Sequence, residues 1–233
     1  MNVLVTAGNT QAPLDQVRCV TNVFSGRTGG QIAARAFDRG HAVTLLTSRP
    51  EALAEFPAAR TRIGPCWRVE PYRTFADLET ALAAEVRSGR YDAVIHSAAV
   101  SDYLVAGVFA RDASGDLHDA TAGKVKSTHA DLWVRMVPAP KLVDRVRGAW
   151  GFGGVLVKFK LEVGPTEDEL RDIAERSRAH SGADLMCANT YEGMSDWALL
   201  GGAAGYDRVP RAELADRLLD ATERARAARH SIN

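Results

Sequence analysis

Residues suited to binding an anion gather near the start of this chain, in the run VLVTAGNTQAPLDQVRCVTNVFSGRTGG at positions 3–30. Gly8 lies in a polar loop behind the apolar segment Val3-Leu4-Val5. Ser25, Gly26 and Gly29 lead into a segment marked by Ala33, Ala34 and Phe37. Glycine lets an anion approach the backbone closely. The first N–H groups of a helix lack intrahelical partners and carry partial positive charge. A strand, a polar loop and a glycine-rich helix start are the parts from which phosphate sites are built. Farther along, Asp102 follows an apolar run and Lys124 and Lys126 stand in the glycine-bounded GKVKS. Phe159 sits between Lys158 and Lys160, and Asn189 closes an apolar segment. Each also has a plain reading: a turn cap, a solvated lysine pair, a core or base-stacking ring, and an amide that makes a turn or reads a base edge.

Other chemistries find less support. The six histidines form no pair at ligand spacing, and Cys19, Cys66 and Cys187 show no zinc spacing. Cys187, inside Leu-Met-Cys-Ala, reads as a small core residue. A dinucleotide site places G-x-G-x-x-G directly after the first strand, whereas 20 residues separate Val5 from Gly26. Ser48-Arg49 at the end of the second apolar run suits a 2′-phosphate, but no Tyr-x-x-x-Lys accompanies it. An NADP-linked reductase is therefore the weaker alternative.

The elements that must hold these residues follow from periodicity. Apolar runs at 3–5, 41–47, 67–72, 92–100, 132–136, 155–162 and 184–189 read as strands. Phe75, Leu78, Leu82 and Val86 repeat at helical spacing over residues 74–88. Pro138 and Pro140 introduce a helix at 141–150. Thr166 with Glu169 forms a capping box for a helix reaching about 181. Residues 197–200 pair with 206–209, and a last helix spans 212–228 with a solvated arginine-rich face. This alternation predicts an α/β fold: a doubly wound, mostly parallel, Rossmann-like sheet with helices on both faces. In such sheets ligands lie beyond the carboxyl ends of the strands. That places residues 6–10, 48–49 and 98–103 along one crevice. Residues 51–65 read as a mixed loop. Residues 104–130 lose periodicity and are expected to form a long loop or flap.

The chain's 233 residues fit one domain, 1–233, with no repeat or linker. Lys+Arg equals Asp+Glu, so no overall field draws nucleic acid or a membrane surface. The start is a strand rather than a leader, and no apolar run reaches the ~18 residues of a membrane span. A reducing cytoplasm is the expected compartment.

The blocks VLVTAGNT, VRCVTN, FSGRTGG, SAAVSDY, GKVKS, MVP, FKLE and MCAN occur in this order. The ordered set resembles the phosphopantothenate–cysteine ligase (phosphopantothenoylcysteine synthetase) family over roughly residues 3–190. The resemblance implies that cysteine is joined to 4′-phosphopantothenate for coenzyme A synthesis. CTP or ATP with Mg²⁺ activates the carboxylate as an acyl-nucleotidylate, and the cysteine amine then attacks it. It also implies a stand-alone homodimer with no flavin. By position it makes Asn22 the contact to the acyl group, and Arg18 an arginine delivered across the dimer interface to the substrate phosphate. Gly8, Ser25, Gly26 and Gly29 become the triphosphate cradle, and Ala98, Ala99 and Asp102 the pantothenate wall. Lys126 becomes the flap lysine at the α-phosphate, and Phe159 and Asn189 contact the base.

The chain departs from the family pattern at several places. Asn9 stands for a glycine, Phe24 for a serine, and Ser127 for a lysine. Ala139-Pro140-Lys141 replaces Asn-Pro-Asp, and Ser177 and Ser181 replace basic residues beside Arg176 and Arg178. The alternative these departures motivate is a relative that binds a nucleotide or phosphate ligand without ligating cysteine.

Overall fold

The computed structural model of the protein describes residues 1–55 and 66–230. Its frame is an eight-stranded sheet. Strand β1 (Asn2–Ala7) lies inside it, between β4 (Ala42–Thr47) and β6 (Ala93–His96). Beyond β4 lies β5 (Trp67–Pro71). Beyond β6 follow β10 (Val155–Glu162), β11 (Leu185–Thr190), β12 (Trp197–Gly202) and β13 (Gly205–Pro210). The six strands from β5 to β11 run parallel. The last two form the expected antiparallel hairpin.

Strands buried on both faces need continuous apolar runs, and β1 supplies one: Val3, Leu4 and Val5 have no exposed surface. Their side chains alternate between two cores. Val3, Val5 and Ala7 face Ile32, Ala33 and Ala36 of α1 (Arg27–Asp38) and Leu218 and Leu219 of α5 (Leu214–His230). Leu4 faces Leu78 and Leu82 of α2 (Phe75–Arg87) and Val146 of α3 (Leu142–Arg147). A smaller core joins Leu170 and Ala174 of α4 (Glu167–Ser181) to Met186 and Leu199. Capping boxes start α2 at Thr74/Asp77 and α4 at Thr166/Glu169. Cys187 is buried as expected, and burial pushes its thiol up to about 12.

Several expected boundaries move. The β6 ladder stops at His96, and residues 97–99 bond to the end of β1 and the loop after it: Ser97 Oγ donates to Thr6 O at 2.7 Å and Ala99 N to Gly8 O at 2.8 Å. Helix α3 is shorter than 141–150, with Gly148 at its carboxyl end. The expected loop at 51–65 begins as a 3₁₀ turn, Pro50–Glu55, and its remainder lies outside the described residues.

The largest difference concerns residues 104–130. They begin with two strands, β7 (Tyr103–Arg111) and β8 (Leu117–Asp119). With β9 (Trp133–Pro138) these make an antiparallel sheet in the order β8-β7-β9. A register shift between Val105 and Gly107 puts the alternation of β7 out of phase, so no single period runs through it. A short turn at 112–116 joins β7 to β8, and residues 120–132 before β9 lack regular structure. A short hairpin, β2 (Gln11–Pro13) with β3 (Cys19–Thr21), stands between β1 and α1. No helix among the described residues is long and apolar enough to cross a membrane.

Candidate functional site

The strand order 5-4-1-6-10-11 reverses its winding between β1 and β6. The loops that leave those two strands bound the crevice where ligands of such sheets sit. Gly8 heads the first loop with φ +89°, and Gly26 precedes α1 with φ +82°. A Cβ on Gly26 would lie 2.5 Å from the Gly8 nitrogen, so only glycine brings the helix start this close to the strand end. Three residues on, a Cβ at Gly29 would fall 2.6 Å from that of Ala7.

Asn9 joins the parts around this contact. Its side chain donates to Asn22 O at 2.6 Å and accepts from Ser48 Oγ at 3.1 Å, while its own N–H donates to that hydroxyl at 2.9 Å. Asn22 Nδ2 donates to Ala99 O at 3.0 Å. The Ala98 N–H reaches Thr6 Oγ1 at 3.2 Å, and that hydroxyl stands 2.9 Å from His96 Nδ1. The structure therefore brings Gly8, Asn22, Ala98 and Ala99 together through hydrogen bonds and Gly26 and Gly29 through close packing, with Ser25 exposed immediately before Gly26. The imidazole of His96 is fully buried beside Lys158, and burial pushes its pKa down to about 4, so it stays neutral.

Phe159 and Asn189 lie on neighbouring strands, with Phe159 paired to Cys187 and Leu161 to Asn189. Because alternate residues share a face, Phe159, Cys187 and Asn189 all lie on the α1 side of the sheet. Phe159 is partly buried against that core. Lys158 points the other way. It is half-buried, its pKa is pushed down by burial, and its Nζ donates to Ser177 O at 3.1 Å.

Arg18 and Lys126 form a second group. Arg18 donates to Asp15 Oδ2 at 2.6 Å and to Val125 O at 2.7 Å, which places it against the segment that carries Lys124 and Lys126. Both lysines are exposed. Asp102 belongs to neither group: its carboxylate is paired with Lys141, and both side chains are largely exposed.

Arg211 went unassigned in the sequence and reaches the first turn of α1, donating to Thr28 Oγ1. Burial pushes its pKa down, and the nearby Arg27 charge acts in the same direction. The sequence signal was slight: an arginine after the proline that ends β13. At the opposite end of the sheet, a cavity of about 270 Å³ is lined in part by Asn2, Thr44, Arg68 and Tyr91. Its Arg68 is held by Glu85 at 2.6 Å, and none of the loops above lines it.

Comparison with known proteins gives three findings. The pattern of the DNA/pantothenate metabolism flavoprotein C-terminal domain matches residues 1–198. The coenzyme A biosynthesis bifunctional protein CoaBC of Thermococcus kodakarensis is 32% identical over 228 residues, covering 95% of this chain and 51% of that protein. The Escherichia coli protein of the same name is 33% identical over 190 residues, 81% of this chain and 41% of its own length. The chain thus spans about half the length of the curated relatives it matches. Among solved structures, the DNA/pantothenate metabolism flavoprotein from Streptococcus pneumoniae superposes with a TM-score of 0.80 at 28% identity. That match covers 96% of this chain and 98% of the other.

Proposed function

The chain belongs to the DNA/pantothenate metabolism flavoprotein C-terminal domain family, and from that premise we propose that it joins cysteine to 4′-phosphopantothenate through an acyl-nucleotidylate. The relatives named above are coenzyme A biosynthesis proteins by name. The observation that carries the reading is the cluster of these residues at the switch point. There the Gly8–Gly26 contact lies beside an asparagine amide fixed to Ala99.

In this reading the backbone N–H groups of the glycine loops and the α1 start hold the triphosphate. Asn22 faces the acyl carbon, and the 98–99 backbone holds the pantothenate amides. Both steps develop charge on oxygen, and positioned donors stabilise it with little reorganisation. The phosphate side of the crevice presents amides, hydroxyls and cations. Such a donor set suits phosphate oxygens, so Mg²⁺ would take its ligands largely from the triphosphate and water. Lys126 supplies the charge at the α-phosphate, and Phe159 and Asn189 receive the base of CTP or ATP. Residues 120–130 serve as the flap, and residues 1–233 as one ligase-type domain in the cytoplasm, with no flavin required. A homodimer is supported by Val20, Tyr103, Leu132, Trp133 and Val134, which remain exposed on the β2–β3 hairpin and on or beside the β7–β9 sheet.

The test is pyrophosphate release from CTP or ATP with Mg²⁺ and phosphopantothenate, measured with and without cysteine. Release with either nucleotide, with amide product only when cysteine is added, is expected. The Asp102–Lys141 pair favours a second reading, because it occupies the carboxylate assigned to the substrate. In that case the protein would bind triphosphate yet release no pyrophosphate. Binding of NADPH in a titration would instead point to the reductase.

A further inference from the structure

The hairpin turn between β2 and β3 is built around one carboxylate. Asp15 Oδ1 accepts the Val17 and Arg18 N–H groups at 2.8 and 2.7 Å. Its Oδ2 accepts Arg18 Nε and Nη2 at 3.1 and 2.6 Å, and the Val125 N–H at 3.0 Å. The Asp15 side chain has no exposed surface. Two more bonds fasten the same segments: Gln16 N to Gly123 O at 3.0 Å and Arg18 Nη2 to Val125 O at 2.7 Å. The Val125 side chain is buried, while its neighbours Lys124 and Lys126 are exposed. A short stretch with little regular structure is thereby fixed at Gly123 and Val125, and the lysines on either side of Val125 are held next to the hairpin that carries Arg18 and leads into Asn22.

We propose that Asp15 is a positioning residue for Lys126: it docks the 123–125 backbone on the β2–β3 turn and so sets where the lysine stands. The role of Lys126 rests on the ligase reading, whereas the docking rests on these contacts alone. A carboxylate suits the task because it only accepts, and every group around it donates. In Asp15→Asn, one amide NH₂ would confront donors that now meet an oxygen. The turn's backbone bonds can survive on the remaining oxygen, but those from Val125 and from the Arg18 guanidinium cannot. Arg18 belongs to the same device. Any substrate phosphate that draws its guanidinium away from Asp15 and Val125 also loosens the seat of Lys126.

The test has two arms. Trypsin cleavage at the Lys126–Ser127 bond, mapped by mass spectrometry, reports local release of the segment. Asp15→Asn should be cut roughly tenfold faster than wild type with little change in the global unfolding midpoint. Val125→Pro removes the same hydrogen bond from the other side and should match it, which covers the case in which Asp15→Asn folds poorly. Unchanged cleavage in both variants would overturn the docking.

In the second arm, the KM for the triphosphate should rise in Asp15→Asn and in Lys126→Ala. The double variant should be no worse than Lys126→Ala alone, because coupled residues are not additive. Fully additive losses would show that Asp15 acts otherwise than through Lys126 and would reject the proposal. A wild-type protein that releases no pyrophosphate would reject the ligase reading and the role given to Lys126, while the cleavage arm still decides the docking.

Discussion

Asn9 fills the position where the family pattern has a second glycine, and its side chain bonds both to Ser48 and to the backbone of Asn22. The departure therefore braces the loop. Asn9→Gly should lower stability by about 1–3 kcal/mol, since it removes buried hydrogen bonds and frees the unfolded chain. Urea unfolding measures this, and an unchanged midpoint would mean the side chain is replaceable. For Asn22, the reading gives Asn22→Ala a loss of about 10²–10³ in amide formation, with pyrophosphate release better preserved. Equal loss of both half-reactions would remove it from the second step. His96 sets a pH dependence. The folded imidazole stays neutral down to about pH 4, while the unfolded one takes a proton near the ordinary histidine value of 6.5. Its contribution is full above pH 6.5 and is lost as pH falls to about 4, a change of about 3 kcal/mol. His96→Gln should therefore lose less stability than wild type between pH 7.5 and 4.5, and parallel losses would contradict the assignment. Asn9 could not be read from the chain, because its partners Asn22 and Ser48 come from other segments, and neither could the bond that Asp15 accepts from Val125. Gly26 and Gly29 could, because glycines clustered before a helix are visible in the sequence itself, even though the atoms they make room for belong to Ala7 and Gly8.

Elements differed in legibility for the same physical reason. The helix after Thr166 was readable because its capping box and apolar spacing lie within one segment, and the bonds form as expected. Thr166→Ala should cost about 1 kcal/mol of stability, checked by thermal or denaturant unfolding. The β7–β9 sheet was not readable, because the shift beside Gly107 splits its alternation and β9 lies more than twenty residues away. The β6 strand was overread to Val100. Its apolar residues continue past His96, but there the chain bonds to the end of β1 and the loop after it. The crevice itself was legible, since the alternation of strands and helices fixes which loops share an edge.

At the scale of the molecule, the exposed apolar side chains near β9 give the homodimer proposal its sharpest test. Trp133 is 48% exposed, with the Arg111 guanidinium 5.1 Å from its ring. Trp133→Glu should shift a sedimentation profile from dimer to monomer at micromolar concentration. An identical profile, whichever species it reports, would place any interface elsewhere.

The family pattern ends at residue 198, yet α5 continues the core beyond it. Leu214, Leu218 and Leu219 pack into the cluster that contains α1, Arg35 and Arg39 pair with Asp216 at 2.8 and 2.9 Å, and Arg211 touches Thr28. The helix that opens on the glycine cradle is therefore clamped from behind by the last helix of the chain, so a change in that tail would move the cradle without touching any residue of the crevice.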